Sequence, residues 1–390
     1  MTTTATGRVP WGSTVLRIAL ASTLVGVLGV TLVSPLLPAI AEVVGVGDEG
    51  ASLVITAYTL PGIALSPVAG ALADRYGRRP VLVGSLALYA LCGTAVAAVT
   101  TFESILLLRA MQGVAASGVF SLSVTLLGDA FEGAERTAAL GANAAAISIG
   151  AAVYPLLGGT LGARSWQTPF LLYAVGIPVA LWALYGLGAS APADRENGLS
   201  YLRNSVGTLP GRTATAVFGA TFTAYVLLFG GVLTAVPFLL AETFGQSSLA
   251  IGVILSAAAL STAAVALAGG RLAARLAPAR LVAAGYCAYG VGLLTVWLAP
   301  GPLVVAAGSL IVGAGQGAVL PAIDGLVSAM APARYRAGVF GLRTSVVSLG
   351  ATVGPVAFAA AGSRVGYRPA LLVGGSVALV AGVVALWRTA

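Results

Sequence analysis

Twelve apolar stretches, each long enough to cross a lipid bilayer, follow one another from residue 17 to residue 387. Six run 17–40, 52–73, 80–99, 104–127, 137–161 and 168–187; six more run 213–240, 247–269, 280–299, 302–330, 336–361 and 368–387. Hydrocarbon offers no water to backbone amides, so stretches of about 20 apolar residues cross it as helices. Charged residues make up 8% of the chain, far below the roughly 25% of a soluble domain, which excludes a soluble fold. The 52 glycines lie inside the apolar runs without a three-residue period, where they allow helices to approach closely. The expected fold is all-α: a polytopic membrane protein of twelve transmembrane helices. Ala39-Ile40-Ala41 resembles a leader cleavage site, but the apolar run before it is too long for a signal peptide and is read as span 1.

The one long hydrophilic connection, Gly188 to Arg212, divides the spans six and six. The expected organisation is an N-terminal bundle (1–187), a cytoplasmic linker (188–212) and a C-terminal bundle (213–390). An even number of crossings puts both termini on one side. Fifteen arginines fall on that side, three on the other (Arg164, Arg364 and Arg368), and Arg109 and Arg343 lie within spans. The positive-inside rule then places both termini in the cytoplasm of a cell-membrane protein.

The halves also repeat one another. A shift of 200 positions carries Gly70, Leu72 and Arg75 onto Gly270, Leu272 and Arg275. It also carries Arg136, Gly141, Gly150 and Pro155 onto Arg336, Gly341, Gly350 and Pro355. A shift of 204 carries Gln112-Gly113 onto Gln316-Gly317. Two related six-helix bundles around a site between them form a transporter architecture.

All 20 basic residues are arginine and there is no histidine, so proton work falls to the 12 carboxylates. Cys92 and Cys287 lie in different spans without metal-ligand spacing and are read as small packing residues. No phosphate-binding loop, nucleophile constellation or metal-ligand cluster occurs, so neither an ATP-driven pump nor an enzyme is supported, and no cofactor or metal is expected.

Between spans 2 and 3 the chain reads GALADRYGRR, Gly70 to Arg79. This resembles the signature G-x-L-A-D-x-x-G-R-[RK] of the major facilitator superfamily, through Gly70, Leu72, Asp74, Gly77, Arg78 and Arg79. The resemblance implies a conformational latch between the halves, formed by Gly70, Asp74, Arg75, Gly77, Arg78 and Arg79; a topology anchor alone is the other reading. Asp129, near the cytoplasmic end of span 4, is the expected partner carboxylate for Arg75 or Arg78. Leu108-Arg109-Ala-Met-Gln112-Gly113 in span 4 resembles a second signature of the family, L-x-R-x-x-Q-G. The family's arginine is linked to proton coupling, and structural anchoring is the alternative for Arg109, since a charge in a span must face protein or water. Arg109, Gln112, Ala116 and Phe120 share a helical face.

Span 5 carries Gly141, Gly150, Tyr154, Pro155, Gly158 and Gly159, which resembles the family's antiporter signature G-x8-G-x3-G-P-x2-G except at Tyr154. Span 11 repeats part of it through Gly341, Gly350, Gly354 and Pro355, so helix packing explains it as well as export does. Asp324, about six residues before the end of span 10, and Arg343, about seven into span 11, lie at equal depth of roughly 10 Å and are able to pair. Asp324 is the sole carboxylate well inside a span, and so the leading proton site unless the pair is purely structural. The 204 shift maps Asp324 onto Phe120, and Gln316 shares its helical face. Phe218, Phe222, Tyr225 and Phe229 form one face of span 7. That stripe either faces lipid or a neighbouring helix, or walls the cavity that the family resemblance puts along spans 1, 4, 7 and 10.

The resemblance is closest to the twelve-helix drug and proton antiporters. It implies proton-coupled efflux of small hydrophobic or amphipathic compounds by alternating access. Proton coupling is expected at Asp324, Arg343 and Arg109, and a substrate cavity at Arg109, Gln112, Phe120, Phe222, Tyr225 and Gln316. The expected partners are a small-molecule substrate, protons and the bilayer, with no nucleic acid, and the chain is expected to be a monomer. The alternatives are a carrier of a small polar metabolite, with Arg109 binding an anion, and a non-transporting receptor on the same fold.

Overall fold

A computed structural model describes residues 9–188, 207, 209, 211–273, 276–330 and 336–387, so the expected linker lies largely outside the described residues. Eleven helices among these are long and apolar enough to cross a membrane: Thr14–Val44, Arg78–Ala98, Phe102–Ala130, Gly133–Gly162, Thr168–Gly186, Gly211–Phe244, Ser248–Gly269, Pro278–Trp297, Pro302–Met330, Gly338–Val365 and Tyr367–Ala385. The twelfth crossing, span 2, is two shorter helices, Gly47–Thr59 and Gly62–Tyr76, meeting at Leu60-Pro61. Pro61 has no N–H to give the preceding turn and its ring crowds the carbonyl four residues back, which divides the span.

Three other spans depart from a uniform helix. Span 1 gives way at Leu32-Val33 to a 3-10 turn, Ser34–Leu36, before resuming as Leu37–Val44, with Pro35 and Pro38 at the junction. Span 7 passes through a π-helical segment, Leu227–Ala235, before finishing as Val236–Phe244. Span 6 opens with a 3-10 stretch, Thr168–Val175. The 200-residue repeat is visible in these irregularities. The last pieces of spans 1 and 7 occupy matching positions, and each ends on a left-handed glycine, Gly45 at φ +72° and Gly245 at φ +60°. A side chain at either would strain the turn that reverses the chain into the next span.

Within the first six spans, span 1 packs on spans 4, 5 and 6, and span 3 packs on spans 4 and 6. In the second six, span 9 packs on spans 10 and 12, span 8 on span 10, and span 7 on spans 10 and 11. These are the two pseudo-symmetric bundles the repeat predicts. Span 5 crosses over to span 8, and span 2 to span 11. The first of these contacts is made by backbone. A Cβ on Gly159 would run into the Ser248 carbonyl, and one on Gly252 into the Pro155 carbonyl.

The hydrogen bonds that join the bundles, among the described residues, all lie at the midplane or toward the face away from the termini. Thr56 Oγ1 donates to the Thr352 carbonyl at 3.2 Å, and Thr352 Oγ1 to Thr59 Oγ1 at 3.1 Å. Ser34 Oγ donates to the Leu233 carbonyl at 2.6 Å. At the rim, Tyr367 Oη donates to Asp48 Oδ2 and Ser363 Oγ to Glu49 Oε1, each at 2.6 Å. Asp48 also contacts the Glu242 carboxyl from the other bundle, and the Tyr367 ring stacks on Phe238 at 5.4 Å. The protein is therefore closed at the face away from its termini.

Candidate functional site

Three spans of the C-terminal bundle bring ionisable side chains together. Asp324 on span 10 and Arg343 on span 11 meet with Oδ1 and Nε 2.6 Å apart, as their equal depth predicts. The two atoms face each other as an ion pair, both covered from solvent. The Asp324 side chain keeps 44% of its surface exposed although Oδ1 itself is covered, while Arg343 keeps 14%. One oxygen thus abuts the guanidinium and the rest of the group is open. Tyr225 of span 7 stands next to this pair.

Tyr225 belongs to the aromatic stripe. Its ring lies 6.2 Å from that of Phe229, tilted by 32°. Phe218, Phe222, Tyr225 and Phe229 are all half-buried, which a stripe turned toward lipid would not be. Gly350 of span 11 fits against the Phe222 carbonyl and the Tyr225 Cβ, each about 2.9 Å from where its own Cβ would stand. Gln316, on the Asp324 face, turns toward span 8, where its Oε1 lies 3.5 Å from Thr262 Oγ1.

The N-terminal bundle supplies an internal comparison. Arg343 corresponds by the 200 shift to Asn143, and Asp324 by the 204 shift to Phe120. There Thr23 Oγ1 donates to Asn143 Oδ1 at 2.6 Å, and the Phe120 ring covers Gly26. One bundle closes these positions with neutral groups and the other with an ion pair.

Arg109 has a different setting. It is fully buried, with Nε donating to the Val54 carbonyl at 3.1 Å and Nη2 to the Gly29 carbonyl at 2.5 Å. Nη1 donates to Gln112 Oε1 at 2.6 Å and to Tyr173 Oη at 3.4 Å, and the guanidinium lies 4.5 Å over the Tyr58 ring. Arg109 ties spans 1, 2, 4 and 6 together through neutral groups. Gln112 is equally buried, so in this conformation neither residue opens onto the space between the bundles, whereas Phe120 is 37% exposed.

At the turn between spans 2 and 3, Gly77 (φ +89°) separates Tyr76 from Arg78. Arg78 forms an ion pair with Asp129 at the end of span 4, while Arg75 stacks 5.5 Å over the Tyr76 ring. Arg78 rather than Arg75 is thus the arginine on Asp129. Arg79 is half-buried beside it; Gly70 and Asp74 lie outside the described side chains. In span 5, Gly150 meets Val27 and Gly158 meets the Leu32 carbonyl of span 1, Pro155 and Gly159 face span 8, and Gly141 has open space around it. The signature therefore packs span 5 between the bundles.

The Major Facilitator Superfamily profile matches residues 19–229 and, again, 214–390. The chain belongs to the major facilitator superfamily. Among its relatives in this superfamily is the tetracycline resistance protein, class D, of Salmonella ordonez, 30% identical over 353 residues that cover 88% of each chain. The bacillibactin exporter of Bacillus subtilis (strain 168) is 34% identical over 161 residues, 39% of this chain and 40% of that one. Among solved superfamily structures, a mutant of the nucleoside transporter NupG superposes with a TM-score of 0.81 at 13% identity, over 96% of this chain and 99% of the other.

Proposed function

We propose that the protein is a secondary active transporter that exports small hydrophobic or amphipathic compounds in exchange for protons, by alternating access. The observation that carries the proton coupling is the contrast between the bundles. An intramembrane ion pair is costly, and the sister bundle packs the same positions with Asn143, Thr23 and Phe120. The fold has no need of charge there, which favours a working role for Asp324 and Arg343. Phe222 and Tyr225, half-buried beside the pair, suit apolar or aromatic ligands. The names of the tetracycline resistance protein and the bacillibactin exporter favour export over uptake.

On this reading residues 1–187 and 213–390 are the two moving bundles, joined by 188–212, in a monomer of the plasma membrane with both termini cytoplasmic. The closed face is then the outer one. The Arg78–Asp129 pair acts with Asp74 as the inner latch, and Arg109 holds the N-terminal bundle rigid rather than binding an anion.

Proteoliposomes provide the test. Asp324→Asn is expected to abolish concentrative, uncoupler-sensitive export of tetracycline or ethidium while retaining downhill exchange. Accumulation against a gradient with unchanged proton dependence would remove Asp324 from the coupling.

A further inference from the structure

Span 1 carries a glycine that the repeat does not call for. The 200 shift puts Val226 of span 7 where Gly26 stands in span 1, and glycine is among the poorest helix formers. What Gly26 makes room for is the Phe120 ring of span 4. A Cβ built on Gly26 would stand 3.0 Å from Phe120 Cζ, 3.2 Å from Cε2 and 3.3 Å from Cε1, inside the roughly 3.5–4.0 Å of ordinary carbon contact. The tip of the ring thus rests on bare backbone.

That backbone is held in place. The Gly26 carbonyl accepts from Tyr58 Oη of span 2 and from Tyr89 Oη of span 3, each at 3.2 Å. Both tyrosines are buried, and their rings meet edge to face with centroids 6.4 Å apart. Just along the helix, the Gly29 carbonyl accepts from Arg109. The ring, by contrast, has room to move, since Phe120 is 37% exposed. The exposed apolar residues Leu107, Met111 and Val114 mark the outward face of span 4, and Phe120 stands about 150° round the helix from them. Its open side is therefore turned to the space between the bundles.

We propose that Gly26 is the positioning residue that sets substrate size: it seats the Phe120 ring, and the depth of that seat fixes the room an aromatic substrate finds between the bundles. The inference rests on the reading above of an exporter of apolar and aromatic compounds. With the backbone pinned and the ring free, a methyl added at residue 26 displaces the ring rather than span 1, by about 0.5–1 Å into the substrate space. Small planar compounds still fit against the displaced ring, and bulkier ones lose their place. A difference of about one methylene in an apolar pocket changes discrimination roughly 10- to 200-fold, and the lower end applies to a ring that can tilt.

The test takes three fluorescent aromatic cations of increasing bulk, proflavine, ethidium and rhodamine 6G, and measures their affinities for purified protein. In Gly26→Ala the ratio of proflavine affinity to rhodamine 6G affinity is expected to rise about tenfold. Phe120→Ala is expected to lower that ratio, and adding Gly26→Ala to it to change nothing further, because the methyl then has no ring to push. A rise that persists in the double variant, or an equal loss for all three probes in Gly26→Ala, would overturn the seat. So would a Gly26→Ala protein that does not fold, since the backbone and not the ring would then be taking up the methyl. Wild-type ranking in Gly26→Ala, with export of the same probes intact in proteoliposomes, would overturn the role of Gly26 and leave the transporter reading standing. A wild-type protein that binds none of the three would overturn the aromatic-substrate reading, and this inference with it.

Discussion

Tyr367→Phe removes one oxygen from the rim that closes the protein, and its effect is calculable. The Tyr367 Oη to Asp48 Oδ2 bond of 2.6 Å joins the two bundles, and the Phe replacement keeps the ring stack on Phe238. A hydrogen bond to a carboxylate contributes about 1.5–3 kcal/mol, and the lower end applies at a rim that water reaches. About 1.4 kcal/mol is tenfold in an equilibrium, so an outer-open population of about 1% is expected to rise to about 10%. The assay is electron–electron double resonance between spin labels at Thr100 and Pro300, both exposed at the closed face, with Cys92 and Cys287 replaced by Ala. A long-distance component should appear in Tyr367→Phe. Alkaline pH should act in the same direction, because Asp48 also contacts Glu242 across the bundles and two charged carboxylates repel. An unchanged distance distribution in the variant would show that this bond does not hold the rim shut.

Two other outcomes follow from the site. Arg109→Ala leaves the Gly29 and Val54 carbonyls without their donor inside the N-terminal bundle, and a loss of about 3 kcal/mol should appear as a lowered Tm in detergent. An unchanged Tm would contradict the tie-rod role. Asp129→Asn, which weakens the ion pair with Arg78, should lower turnover severalfold while probe affinity stays close to wild type; weakened binding with normal turnover would argue against a latch.

Hydropathy was enough for the number of spans but not for their interruptions. The segment 52–73 reads as one apolar run, yet Pro61 divides it. The π-helical stretch of span 7 has no period to betray it, because Leu227–Ala235 is apolar on every side. Depth arithmetic was sufficient for Asp324 and Arg343, since both lie on regular helices that enter and leave at one face. It fails for Asp48, Glu49 and Glu242. These carboxylates stand at span ends, where charge is ordinary, and their partners lie hundreds of positions away across the bundle interface. For Arg109 the spacing to Gln112 was legible, but backbone carbonyls of other spans carry no mark in a sequence.

The seam between spans 5 and 8 has a further consequence. Gly159 and Gly252 put backbone against backbone there. At these two points there is no Cβ to clash as the helices tilt, and a single methyl added to either glycine acts as a wedge. On the function proposed above, substitutions at the seam would change how fast the bundles rock and which face they favour, while the aromatic stripe of span 7 would decide what is carried. Speed and selectivity then lie on separate surfaces, and a lineage under pressure from a new toxic compound can adjust one without relearning the other.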